Sequence, residues 1–166
     1  MDGTVTVEPS THHIAPWMHI IPPDAGIPLG ELLPASGNVH VARLSGPLMT
    51  GEVSTFQQFD AVLKFPPYFG WNWDAFHDCL RDLQWLSADH HVVIIESADQ
   101  ALAEDDAGRR KLLTSLWRSG RDRSYVKRPE GITLSRLSVI LTCDKDSLEG
   151  LSAFVRTLTE QRLAHD

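Results

Sequence analysis

The sequence predicts an α/β fold, with a small, mostly parallel three-stranded sheet covered by helices. Two continuous apolar runs, His91-Val92-Val93-Ile94-Ile95-Glu96 and Ser138-Val139-Ile140-Leu141-Thr142-Cys143, have the composition of strands buried on both faces. Segments with apolar residues at helical spacing lie before, between and after them. Strands that alternate with helices in this way build parallel sheets through right-handed crossovers. At 166 residues the chain has the size of one domain with extensions, and it can bury a core without staples.

Residues 1–15 read as a flexible tail, and 16–165 as a single domain. Its core is expected at 38–143, with an N-terminal extension at 16–37 and a C-terminal helix at 144–163. Trp17-Met18-His19-Ile20-Ile21, closed by Pro22-Pro23, is a candidate extra edge strand, because proline stops ladder pairing there. Leu29 to Leu33 has room for one or two helical turns. Val39 to Leu44 reads as a strand ended by Ser45-Gly46-Pro47. Phe56, Phe59 and Leu63 share one face of a helix over Glu52 to Leu63. Phe65-Pro66-Pro67-Tyr68-Phe69-Gly70 breaks it, and a second helix follows over Trp73 to Leu83 with Asn72 as its N-cap. Leu112, Leu113, Leu116 and Trp117 mark a helix stopping near Gly120. Arg121 to Arg136 is polar and aperiodic, and reads as a long loop. Leu148, Leu151, Val155 and Leu158 mark the closing helix, with Asp144 or Asp146 as cap.

Charge is distributed unevenly. The net charge is -7, which argues against general affinity for nucleic acid or an anionic membrane. Residues 1–108 hold 15 acidic and 3 basic side chains, whereas 109–166 hold 12 basic and 7 acidic ones. The acidic part suits a basic partner, although solvated faces of uneven sign are the plainer reading. No apolar run reaches the roughly 18 residues of a membrane span. The first cation is Arg43, so no secretory leader is expected. Cys79 and Cys143 are too few and too far apart for a disulfide framework or zinc ribbon, and a reducing cytoplasm fits. The pairs His12-His13 and His90-His91 lack further ligands, and no phosphate-binding glycine run is present. Neither metal nor cofactor is expected.

The most informative segment is FPPYFGWNWDAFHDCLRDL, residues 65–83. At about 100° per residue, Trp73, Ala75, Phe76, Cys79, Leu80 and Leu83 fall on one half of the helix. Asp74, His77, Asp78, Arg81 and Asp82 fall on the other, facing solvent or a partner. Like charges at i, i+4 destabilise a helix by a few tenths of a kcal/mol per pair, so the stripe Asp74, Asp78, Asp82 suggests a use. Tyr68 and Trp71 stand beside it, and exposed aromatics next to carboxylates suit a protein interface. A general acid–base pair is disfavoured, since both carboxylates point the same way from one exposed face.

The run Tyr68-Phe69-Gly70-x-Asn72-x-Asp74-Ala75-x-x-Asp78-Cys79-Leu80 resembles the signature of the barstar family, intracellular inhibitors of a secreted bacterial ribonuclease. The resemblance covers roughly residues 39–143. It implies a three-stranded parallel sheet covered by helices and inhibition by a helix and loop laid across the nuclease active site. It assigns partner contacts to Tyr68, Asn72, Asp74 and Asp78, with Asp78 entering the enzyme's phosphate site. Trp71 and His77 complete the expected partner-binding set, and no residue is assigned a catalytic role. Two departures stand out. His77 occupies the place of an aromatic, and basic residues around Arg109-Arg110-Lys111 replace a further acidic contact. The partner would then be a different basic nuclease or nuclease toxin, bound by a cytoplasmic protein that is monomeric when free. Two other readings remain: a regulatory or scaffold domain that kept the fold, and an RNA-binding module using the basic 109–136 segment.

Overall fold

The structure is a computed structural model that describes residues 12–22, 37–125 and 135–165. Five strands occur in chain order: β1 (His12–Ala15), β2 (Met18–Ile21), β3 (Val39–Ser45), β4 (His90–Glu96) and β5 (Arg136–Thr142). Among the described residues four α-helices accompany them: α1 (Glu52–Leu63), α2 (Trp73–Asp82), α3 (Asp106–Tyr125) and α4 (Lys145–His165). The strand order is β1-β2-β5-β4-β3. Strands β2, β5, β4 and β3 run parallel, and β1 pairs antiparallel with β2.

The expected three strands are present and parallel, but the sheet is five-stranded and mixed. The candidate edge strand at Trp17–Ile21 is β2, and it lies inside the sheet, with Met18 opposite Val139 and Ile20 opposite Leu141. The outer edge is β1, which occupies residues 12–15 of the expected tail. Its sequence HHIA carries no apolar alternation, so pairing with β2 rather than local propensity makes it a strand. The expected turns at 29–33 fall outside the described residues.

The helix expected to stop near Gly120 instead continues to Tyr125, so residues 121–125 of the expected loop are helical. Gly120 is a packing glycine rather than a stop. A Cβ there would lie 2.3 Å from Trp17 Cδ1, and Trp17 also stacks on Trp117 at 5.8 Å. Only a residue without a side chain lets α3 approach the β1–β2 hairpin this closely. Gly46, just after β3, is similar: a Cβ would lie 2.1 Å from the Ser97 carbonyl oxygen.

The helix-facing side of the sheet carries Ala42, Leu44, Val93, Ile95, Leu137, Val139 and Leu141. Phe56, Phe59, Phe76 and Leu80 pack in the same core and are fully buried. The opposite side presents a smaller cluster of Ile21, Val92, Ile94 and Ile140. The alternation follows from the two-residue period of each strand. Both cysteines are free and buried. Among the described residues no helix is long and apolar enough to cross a membrane, and no group of three metal-ligating side chains occurs.

Buried histidines set a pH response. His91 is fully buried with no hydrogen-bond partner at either ring nitrogen. Desolvation, and then Arg123, His40 and His90, push its pKa down to about 4. His19 is likewise lowered to about 4 by burial and by His13, whose Nδ1 lies 2.7 Å from its own. Unfolded histidine takes up its proton near pH 6.5, so between roughly pH 6.5 and 4 the unfolded chain binds more protons. Stability is therefore complete above that window and falls as pH drops through it, by up to about 1.4 kcal/mol per pH unit for each such histidine. Urea unfolding at pH 7.5 and 5.0 is expected to show this loss, and His91→Leu is expected to reduce it. An unchanged slope in the variant would contradict the assignment.

Candidate partner-binding surface

The loop before α2 is anchored by two buried phenylalanines. Phe65 and Phe69 are buried, 4.8 Å apart, and Phe69 meets Phe56 edge-on at 5.6 Å. Phe69 N–H donates to the Pro66 carbonyl over 2.9 Å, closing the turn. Tyr68, between the two anchors, is 73% exposed. Trp71 adopts φ 52, in the left-handed region, and is 45% exposed. It leans on Phe69 at 5.2 Å, so its ring is held at the surface.

Asn72 caps α2. Its Oδ1 accepts from Ala75 N–H at 2.8 Å and its Nδ2 donates to the Gly70 carbonyl at 3.2 Å. Phe76, Cys79 and Leu80 bury one face of α2, and Leu83 follows them into the core. Burial, and then Asp78, Asp82 and Asp60, push the Cys79 thiol up to about 11, so it stays protonated. Asp74 and Asp78 are exposed, and Asp82 is half-buried. The angular division read from the sequence is thus observed for these residues.

Two aromatic positions depart from it. Trp73 is half-buried rather than part of the deep core. It packs on Phe56 at 4.8 Å, and its indole N–H donates to Glu52 Oε2 at 3.0 Å. His77, placed by the projection on the solvent half, sits half-buried in the seam between α2 and α3. Its Nδ1 lies 3.5 Å from Ser119 Oγ. Desolvation, and then Arg118 and Arg81, lower its pKa, which keeps the ring neutral at neutral pH.

The C-terminal end of α2 is held by Arg123 of α3, which is 3% exposed. Its Nη1 donates to the carbonyls of Arg81 and of Asp82, the latter at 3.1 Å. Its Nε donates to the Ser135 carbonyl at 2.7 Å, and Nη2 to the Ser135 hydroxyl. These are helix-end carbonyls that have no partner within α2. An ion pair of Arg81 with Asp122 at 3.2 Å adds to the seam.

Toward their N-terminal ends the two helices flank a groove of about 1100 Å³, which Glu52 of α1 and Leu158 and Gln161 of α4 also line. One wall carries Glu52, Asp74 and Asp78, and the other Arg110, Lys111 and Arg118. Asn72 and His77 also line it, so four of the six expected contact residues share one cleft, with Tyr68 and Trp71 on the preceding loop. The basic cluster read from the sequence divides. Arg110 and Lys111 line the groove and Arg109 does not, while Arg109 and Arg110 both lie over the Phe154 ring, at 5.0 and 5.2 Å. Glu52, Arg118 and Arg123 carried no local signal. Each sits in another helix, and only the packing of α1 and α3 against α2 brings it to the site.

An acidic helix clamped at its C-terminal end, capped at its start and flanked by two exposed aromatics defines an α/β module built to present α2. The chain belongs to the barstar family: the family profile described as Barstar (barnase inhibitor) matches residues 39–132. Comparison with individually curated proteins finds no match.

The clamp and the cap can be weighed separately. Arg123→Met removes several charge-assisted hydrogen bonds from buried carbonyls and is expected to lower unfolding free energy by about 3 kcal/mol. Asn72→Ala is expected to cost about 1 kcal/mol. Urea unfolding monitored by tryptophan fluorescence measures both, and a loss below about 1 kcal/mol for Arg123→Met would contradict the clamp.

Proposed function

We propose that this chain binds a basic ribonuclease or nuclease toxin and blocks it by covering its active site with α2 and the 65–72 loop. The observation that carries this reading is the exposed pair Asp74 and Asp78 on a helix whose other face buries Phe76, Cys79 and Leu80, beside exposed Tyr68 and Trp71. A nuclease cleft built for phosphates offers cations at close spacing. Two carboxylates one helical turn apart imitate successive phosphates there. In this reading Asp78 enters the phosphate site, Asp74 meets its rim, and Tyr68 and Trp71 pack against the surrounding surface. Asn72 and His77 add contacts while setting the start and tilt of the helix. Because α2 is already ordered, little conformational entropy is lost on docking. The net charge of -7 steers a cationic partner toward it. The inhibitor acts in the cytoplasm, is monomeric when free and uses neither cofactor nor catalytic residue.

The basic segment supports this reading over RNA binding, because several of its described cations are engaged within the fold. Arg109 lies over Phe154 at 5.0 Å, Arg121 lies over Trp117 at 4.9 Å, and Arg123 is buried.

Binding to a panel of basic bacterial ribonucleases, barnase included, tests the proposal. Against a ribonuclease that binds, Asp78→Ala is expected to weaken affinity by about 2–5 kcal/mol, since truncation also strands the partner's cations; the barnase–barstar complex is itself a reference case for such pairs. Asp82→Ala is expected to cost less than about 1 kcal/mol, as a rim charge does. Added salt should slow association more than it speeds dissociation. Equal affinity for wild type and Asp78→Ala would refute the site. Binding to RNA without binding to any ribonuclease would favour the basic segment, and binding to neither the scaffold reading.

A further inference from the structure

The groove beside α2 carries both signs of charge, and it does not close on itself. The pairs Arg81–Asp122 and His77–Ser119 run along the seam in the same sense on both helices. Helices α2 and α3 therefore run side by side in the same direction, tied at their C-terminal ends by Arg123. Their N-terminal halves flank the open cleft, with Asp74 and Asp78 on one wall and Arg110 and Lys111 on the other. Ion pairs among the described residues include Arg110 with Asp106, Arg81 and Arg121 with Asp122, and Arg43 with Glu96. None crosses the groove from Asp74 or Asp78 to Arg110 or Lys111. Asp74 and Asp78 are thus not neutralised by Arg110 or Lys111, and charge complementarity at these four side chains is left for an occupant to supply.

We propose that the basic wall selects the partner. It favours a nuclease that sets a carboxylate against Arg110 and Lys111 while its phosphate-site cations grip Asp74 and Asp78, and it disfavours one whose cleft is cationic throughout. This rests on the inhibitor reading above and adds to it the charge pattern of the partner. A uniformly basic cleft would satisfy one wall and press like charge against the other, and like charges brought together at an interface suppress binding. A cleft with an acidic residue at its edge satisfies both walls. Lys111 is exposed, and Arg110 retains its pair with Asp106 on the helix surface, so both cations can reach a docked chain.

Barnase serves as the probe of a basic ribonuclease. Association and dissociation are measured for wild type, Lys111→Glu, Arg110→Glu/Lys111→Glu, Asp78→Ala and Asp78→Ala/Lys111→Glu, at about 0.1 M and about 0.5 M NaCl. The reversed variants are expected to bind barnase at least tenfold more tightly than wild type, with the gain shrinking at the higher salt. Lys111→Glu leaves the Arg110–Asp106 pair in place, so it keeps the test sound if the double variant loses its fold by circular dichroism. Reversed variants that bind barnase no better than wild type, whether weakly or not at all, overturn the proposal. A gain on reversal that Asp78→Ala leaves untouched would instead overturn the inhibitor reading, because the barnase would then be seated away from Asp78.

Discussion

The buried Arg123 guanidinium is the joint on which the binding helix depends. A helix of ten residues ends with carbonyls that it cannot satisfy itself, and in α2 those of Arg81 and Asp82 point into the protein. Arg123 satisfies both and ties them to Ser135 at the entrance to β5. A guanidinium taken out of water is costly unless its donors are used, so the interaction works only if α3 brings Arg123 to one place. That requirement runs outward through the fold. Helix α3 must continue past Gly120, and Gly120 must remain bare where Trp17 lies against it. The β1–β2 hairpin that carries Trp17 thus supports α2 through α3.

Fixing α2 makes its acidic face usable. Asp74 and Asp78 repel one another, and an isolated helix would gain by fraying at that end. Here Asn72 caps it, Phe76, Cys79 and Leu80 bury its other face, and Arg123 closes its far end. The charges stay in water at the surface, where their desolvation cost falls due only when a partner's cations replace the solvent. The same packing leaves a basic wall across the groove, so the surface distinguishes among cationic partners rather than attracting all of them equally.

Much of this was legible in the sequence because it is local. Phe56, Phe59 and Leu63 mark α1, and the apolar runs mark β4 and β5, through periodicities of a few residues. The sign pattern of α2 separates its two faces for the same reason, and the motif from Tyr68 to Leu80 is contiguous. The rest depended on partners distant in sequence. HHIA becomes a strand only because β2 lies beside it, and β2 moves inside the sheet because β5 offers it a parallel edge. Gly120 looks like a helix end until Trp17 is seen filling the space above it. Glu52 enters the acidic wall from α1, and His77 leaves the solvent face because Ser119 and Arg118 meet it from α3.

Occupation of a nuclease active site by α2 is read out by the mode of inhibition. Initial rates of RNA cleavage by the most tightly bound ribonuclease of the panel, measured over a grid of RNA and inhibitor concentrations, report that mode. Occlusion of the phosphate site predicts competitive inhibition, in which raising RNA restores full activity and the maximal rate is unchanged. A maximal rate that falls with inhibitor while apparent RNA affinity stays constant would rule out occlusion, since the chain would then be bound away from the active site.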